Sequence, residues 1–369
     1  MIISVGVGAG MKKEIKDKIS SFENHITIQS FNNFENLLNP ISPDEKFIDD
    51  LSIIPEINKI EKIISRFGIV RTSENFDGLY FKGVESNYDF SKIKRYLIEG
   101  HIPSFKNNFS NEVLISKILS DKLNLKPGDS FQMLFSKNES STPSILKLEV
   151  SGVFKSGFDE LDSKFLFGDL RQIRRILKWK KDQLSSIEIQ LYDHKDIKKV
   201  SDYIYVNSPS EYDVISVQEK YYTIYEWIEL FDKNTFTIIF IMVLVASINI
   251  ISTLIVMILE RRNMIGILKA LGLNNLSLQK FFIHMVSYLT LIGITFGNLI
   301  GISILMLQKN FKLVSLDSKI YFVDSVPVFI DFIDIIILNI IVFLVCFLSI
   351  LLPSILISKV NPKDSIKFN

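Results

Sequence analysis

The side chains that most often carry chemistry are sparse and scattered in this sequence. The four histidines, His25, His101, His194 and His284, form no H-x-x-x-H pair, and Cys346 is the one cysteine. Neither a zinc-ligand spacing nor an intramolecular disulfide is therefore available. No G-x-S-x-G occurs. The acidic run DELD (Asp159 to Asp162) lacks the alternating ligands and the glycine of a calcium loop, and reads as a solvated turn. Gly6, Gly8 and Gly10 in MIISVGVGAG approach a phosphate-binding pattern. However, Met11 stands where G-x-G-x-x-G needs glycine, Gly10-Met11-Lys12 stands where a P-loop needs Gly-Lys-Ser/Thr, and no strand precedes them. Catalysis within this chain is not expected.

The segment that does concentrate chemistry is ERRNMIGILKALG, Glu260 to Gly272, a basic and half-apolar stretch between two long apolar runs. Met264, Ile267, Leu268 and Leu271 fall at i, i+3, i+4 and i+7, which predicts one apolar stripe on a short helix. Asn263 can cap its start and Gly272 can end it in a left-handed turn. A stripe flanked by Arg261, Arg262 and Lys269 must be covered, either by the membrane surface, with the cations on lipid phosphates, or by a groove on a partner protein. So short a helix is marginal alone, and a partner would order it.

The surrounding elements follow from composition. Apolar residues make up 47% of the 369, yet 22% are charged, so the two classes must be segregated. Three stretches without Asp, Glu, Lys or Arg are long enough to span a bilayer: Thr235 to Leu259, Phe281 to Leu307 and Ile335 to Ile357. Lys and Arg in the short loops place Glu260 to Lys280 and the C-terminal tail, with Lys359, Lys363 and Lys367, in the cytoplasm, and residues 11 to 233 outside. MIISVGVGAG reaches only about 15 Å at 1.5 Å per residue, half a bilayer. It reads as the outer half of a first transmembrane helix whose beginning is missing. The net charge of +1 offers no basic field for nucleic acid.

The fold class expected is a membrane protein with transmembrane α-helices, three complete plus the end of a first one. A large α+β extracytoplasmic domain is inserted between the first and second spans. The organisation expected is residues 1–10, the end of a first helix; 11–233, the external domain; 234–259, a span; 260–280, a cytoplasmic loop; 281–307, a span; 308–332, a short external loop; 333–358, a span; and 359–369, a cytoplasmic tail. Within the external domain HITIQSF, LYFKGV, DSFQMLF, LKLEVSGVF, SIEIQLY and YDVISVQ read as strands. EINKIEKIISRF, NEVLISKILSDKL, DLRQIRRIL and DIKKVSDYI read as helices, and KNESSTPS as a polar loop. Tyr222 to Phe231, YTIYEWIELF, reads as an amphipathic helix on the outer membrane surface. Gly293, Gly297 and Gly301 recur on one helix face and are expected to serve helix packing. Phe236, Ile239, Phe240 and Val243 are candidates to touch lipid chains.

The stretch ILERRNMIGILKALGLNNLSLQKFFI resembles the cytoplasmic loop of the MacB/FtsX superfamily of ABC-transporter permeases. VSLDSKIYFVDSVPV, KVNPKDSIKF, EVLISKILSDKLNLKPGDSFQMLF and VSGVFKSGFDELDSKFLFGDLRQIRRIL are similar to LolC/LolE-type lipoprotein-releasing permeases. The resemblance implies that Glu260, Arg261, Arg262, Ile265, Gly266, Ile267, Leu268, Lys269, Ala270, Leu271 and Gly272 form the coupling helix that docks on the ATPase. On this reading Leu268→Asp uncouples the ATPase. The resemblance further implies a multi-pass protein of the bacterial inner membrane with its large domain in the periplasm. Its partners would be two ABC ATPase subunits, a second permease copy or a related permease, an acylated lipoprotein substrate, a periplasmic lipoprotein carrier and membrane lipid. No cofactor is expected on this chain, ATP and Mg being held by the ATPase. Efflux by a MacB-type permease and regulation of cell-wall hydrolases by an FtsX-type protein are the alternatives.

Overall fold

The computed structural model describes residues 1–32, 39–73, 75–106, 109–137 and 140–358. The tail 359–369, with its three lysines, lies outside the described residues. In chain order the elements begin with α1 (Ile2–Phe22), β1 (Ile26–Ser30), α2 (Glu45–Ser52), β2 (Ile57–Arg71), β3 (Phe76–Val84), α3 (Ser91–Lys94), β4 (Leu97–Gly100) and β5 (Glu112–Ser116). They continue with α4 (Lys117–Leu123), β6 (Ser130–Lys137), β7 (Ser140–Phe154), α5 (Asp159–Asp162), β8 (Phe165–Asp169), α6 (Leu170–Leu177), β9 (Ser186–Leu191), α7 (Ile197–Asn207), β10 (Tyr212–Ser216) and α8 (Val217–Lys220). The last are α9 (Tyr222–Glu260), α10 (Arg262–Ala270), α11 (Asn275–Phe311), α12 (Ser318–Tyr321) and α13 (Phe332–Ser358).

The chain divides into two compact units. Of the described residues, one comprises those within 15–225 and 317–324, and the other those within 1–14, 226–316 and 325–358. The first is α+β. Its ten strands form one mixed sheet in the order β10-β1-β9-β2-β3-β8-β5-β7-β4, with β6 pairing to both β2 and β7. Because β6 bridges those two, β2, β3, β8, β5, β7 and β6 pair in a closed ring, while β9, β1 and β10 extend from β2. Closure removes edges that would otherwise expose unpaired backbone. Phe81, Phe135, Phe154 and Phe167 are fully buried in this domain.

The sequence pattern misreads three segments here. Ile57, Ile60, Ile63, Ile64 and Phe67 match a helical stripe, but residues 57–71 form strand β2, paired to β9, β3 and β6. Five isoleucines in this strand favour extended backbone, and hydrogen bonds to three partner strands outweigh the helical spacing. NEVLISKILSDKL divides into a strand and a helix. Val113, Leu114 and Ile115 are all buried in β5, and the Ser116 hydroxyl accepts from the Leu119 amide to start α4. KNESSTPS is strand from Ser140 onward, with Ser144 opposite Phe135; its residues 138–139 lie outside the described residues.

In the second unit three helices are long and apolar enough to cross a membrane: Tyr222–Glu260, Asn275–Phe311 and, over its described side chains, Phe332–Ser349. The expected surface helix at 222–231 and the span after it are one continuous helix of 39 residues. No proline or glycine interrupts that stretch, and Asp232-Lys233-Asn234 alone does not break a helix. Gly6, Gly8 and Gly10 lie within helix α1, which leaves no phosphate-binding loop there. A Cβ on Gly10 would clash with the Pro327 carbonyl oxygen, so the absent side chain is what lets α1 pack on the 327–329 segment. Lys12 pairs with Asp232, and the Lys13 ammonium lies 3.9 Å from the Phe329 ring centre on the same seam.

Candidate functional site

The short helix between α9 and α11 is built from local signals. Arg262–Ala270 forms α10 with Arg261 at its N-cap, so Asn263 is already the second residue of the helix and does not cap it. Gly272 has φ +95, and the Gly272 and Leu273 amides donate to the Lys269 and Leu268 carbonyls, both at 3.0 Å, closing the helix. The Asn274 side chain then accepts from the Ser277 amide at 2.7 Å and starts α11.

What holds α10 is a residue outside the expected stripe. Ile265 is fully buried with Ile258 of α9 and with Leu278 and Phe282 of α11, and Met257, Leu268 and Met285 pack around them. Leu268 therefore faces its own chain. Ile267 and Leu271 project outward, 53% and 79% exposed, beside exposed Arg261 and Arg262. The apolar residues serve two faces, an inner one seated on α9 and α11 and an outer one left uncovered within this chain. Gly266 is buried, while Glu260 and Ala270 are exposed and Lys269 half-buried.

Other expected site residues are dispersed. A Cβ on Gly293 or Gly297 would meet nothing within 4 Å, whereas one on Gly301 would lie 3.4 Å from Ile2. All three glycines line an apolar cavity of about 590 Å³, together with Asn249, Thr253, Asn298 and Asn339. Phe236 and Phe240 are exposed on α9, Ile239 and Val243 half-exposed, and none of the four lines that cavity.

The external domain holds two clusters that spacing did not reveal. At the end of α1, the Lys82 ammonium on β3 donates to Glu188 on β9 at 2.9 Å and to the Phe22 carbonyl at 3.2 Å, and lies 3.8 Å from Glu23. Glu23 in turn accepts from Lys220 at 2.9 Å and from the Tyr221 hydroxyl at 3.1 Å. Asn24 donates to Glu188 and Glu61. Burial alone would raise the Glu23 carboxyl, but the Lys220 and Lys82 ammoniums and the Tyr221 hydroxyl bring it down to about 2. Burial would lower Lys82, yet the Glu188 and Glu23 carboxylates hold it above its ordinary value. The cluster ties Phe22 and Glu23, where α1 ends, and Lys220 and Tyr221, just before α9, to the central sheet.

The second cluster brings together His25 and His194, whose rings lie 4.6 Å apart. His25 Nδ1 accepts from the Leu191 amide at 2.8 Å, and its Nε2 shares a hydrogen bond with the Ser20 hydroxyl. Burial, with the neighbouring His194 and Lys92 adding, lowers His25 to about 3, so it is neutral at physiological pH. Among the described residues no group of three or more His, Cys, Asp or Glu is placed to hold a metal ion. DELD is helix α5, and Asp162 is buried rather than solvated, accepting from the Ser156 amide at 3.2 Å.

Comparison with known proteins places these features in a family. The MacB-like periplasmic core domain matches residues 1–204, and the FtsX-like permease C-terminal family matches residues 236–362. The chain is 19% identical to the lipoprotein-releasing system transmembrane protein LolC of Xylella fastidiosa, over 100% of this chain and 90% of that protein. It is 25% identical to LolC of Buchnera aphidicola, over 95% of this chain and 86% of the relative. LolE of Haemophilus influenzae is 23% identical, over 98% of this chain and 89% of that one. With a MacB-like periplasmic core followed by an FtsX-like permease region, the chain belongs to the MacB/FtsX superfamily of ABC-transporter permeases and is similar along its whole length to the LolC/LolE type.

Proposed function

We propose that this protein is the permease subunit of an ATP-driven complex that releases acylated lipoproteins from the outer leaflet of the bacterial inner membrane to a periplasmic carrier. The observation that carries the coupling half of this reading is α10, anchored by Ile265 and presenting Ile267 and Leu271 beside Arg261 and Arg262. An outward apolar pair with flanking cations on a braced short helix suits a groove on a partner protein. On this reading the partner is an ABC ATPase, two per complex, which binds ATP and Mg. The permease acts as a dimer with a second copy or a related chain. Residues 260–272 receive the movement driven by ATP, and α9 and α11 carry it outward.

The substrate half is supported by the whole-length likeness to LolC and LolE. Lifting acyl chains from a bilayer forfeits about 0.8 kcal/mol for each CH₂, so release needs an energy source. Exposed Phe236 and Phe240, with Ile239 and Val243 on the same helix, are where acyl chains would touch α9. The MacB-like domain supports a second reading, MacB-type efflux.

The deciding experiment depletes the protein in its host and follows labelled lipoproteins between membrane fractions. Retention of outer-membrane lipoproteins in the inner membrane, before general envelope damage, is the expected result. Normal sorting overturns the release reading in favour of efflux or of an FtsX-type role with cell-wall hydrolases.

A further inference from the structure

The loop between α11 and α13 carries LDSKIYFVDSVPV. Its base is closed by its own hydrogen bonds. The Gln308 side chain donates to the Val314 and Val326 carbonyls and accepts from the Val314 amide, while the Val326 amide donates to the Val314 carbonyl. Ser315 and Ser325 form a bridge just beyond. The residues between them, 317–324, belong to the same compact unit as the external domain.

Phe322 is the distinctive residue of that tip. Its φ of +61 lies in the left-handed region, which a bulky side chain rarely adopts. Such a conformation persists only where the surroundings hold it. Here the Phe322 ring stacks on Phe158 with centres 4.5 Å apart and planes 13° from parallel. Its carbonyl accepts from the Lys18 ammonium of α1 at 2.8 Å. The next residue, Val323, is buried.

The receiving side is itself built rigidly. Phe158 is fully buried, its amide donates to the Ser156 hydroxyl at 2.9 Å, and its carbonyl accepts from the Leu161 and Asp162 amides that open α5. The Asp162 carboxylate accepts from the Ser156 amide, closing the turn around Phe158. Lys18 is 5% exposed, so its ammonium is committed to this corner. α1, the domain turn at 156–162 and the tip at 322 meet at one point.

We propose that Phe322 is a positioning residue of the transport cycle: seated on Phe158 and Lys18, it links the α11–α13 loop to the external domain, so that movement of the last two spans reaches that domain. The transport half rests on the function proposed above. A tip held only by base hydrogen bonds would follow α11 and α13 without moving the domain. The seat adds a second attachment, independent of the chain connections through α1 and α9.

The test uses the full chain with its ATPase in membranes. The coupling readout is the ATP-dependent change in tryptic cleavage of the external domain, which requires no substrate. F322A should abolish that change and cut lipoprotein release by about tenfold or more, with ATP hydrolysis within about twofold of wild type, since small misplacements far from the driven step are costly. F322Y, which keeps the ring, should behave as wild type. An F322A protein that responds to ATP normally, or an F322Y protein as defective as F322A, overturns the proposal. If F322A fails to accumulate, K18M, which keeps the ring and removes the bond to the carbonyl, decides in the same assay: a weakened response supports the seat and an unchanged one overturns it. A wild type that shows the ATP response yet releases no lipoprotein sinks the substrate reading and leaves the seat standing.

Discussion

Lys82 and Glu188, 106 residues apart in sequence, meet at 2.9 Å inside the external domain with both side chains buried. The pair lies where α1 ends, since the same ammonium caps the Phe22 carbonyl and a cation is favoured at a helix C-terminus. Removing one partner of such a pair strands the other charge, a loss of roughly 3–5 kcal/mol. Lys82→Met is therefore expected to destabilise the domain by about that amount, whereas Lys82→Met with Glu188→Leu should lose markedly less. Thermal unfolding of the purified full chain checks both. Equal loss in the single and double variants would show that the pair is not coupled.

Acid should weaken the domain through two groups whose folded values are depressed. His25 is lowered to about 3 against an ordinary 6.5, so between those values the unfolded chain takes up a proton that the folded one refuses. Its stabilising share is complete above about pH 6.5 and falls as pH drops, with a slope of up to about 1.4 kcal/mol per pH unit for one group. Glu23, brought down to about 2, adds a second loss as pH falls below its ordinary 4.5. Unfolding followed from pH 8 to 4 should show the fall beginning near pH 6.5, and His25→Gln should remove that first phase.

On α10 the two faces should separate by mutation. Ile267→Asp and Leu271→Asp are expected to abolish co-purification with the ATPase while leaving the protein in the membrane at normal abundance. Ile265→Asp buries a charge among Ile258, Leu278 and Phe282 and should lower abundance itself. Leu268→Asp, aimed from sequence at the outer face, strikes the packed inner one and should resemble Ile265→Asp. Normal ATPase capture by the Leu271 variant would count against α10 as the docking element.

Glycines alike in sequence should differ in tolerance. Gly10→Ala forces a methyl against the Pro327 carbonyl and is expected to cost about 1–3 kcal/mol through overpacking. Gly293→Ala and Gly297→Ala meet open space within the chain and should leave its stability in detergent unchanged. Unfolding temperatures of the three variants decide the order.

The sequence by itself determined what depends on neighbours along the chain. The three long spans follow from unbroken apolar length, and the Gly272 stop of α10 from a residue free to take φ +95. Strands such as SIEIQL and YDVIS were legible from their short, β-branched runs. Tertiary structure decided what depends on distant partners. Residues 57–71 are a strand because β9, β3 and β6 supply hydrogen bonds that no local pattern announces. The inner and outer faces of α10 were not separable from its spacing, because its contacts come from two helices on either side of it. Lys82 with Glu188, His25 with His194 and Phe322 with Phe158 are each brought together only by the fold. Spacing encodes periodicity within one element, whereas the meeting of charges and rings from separate elements is set by how those elements pack.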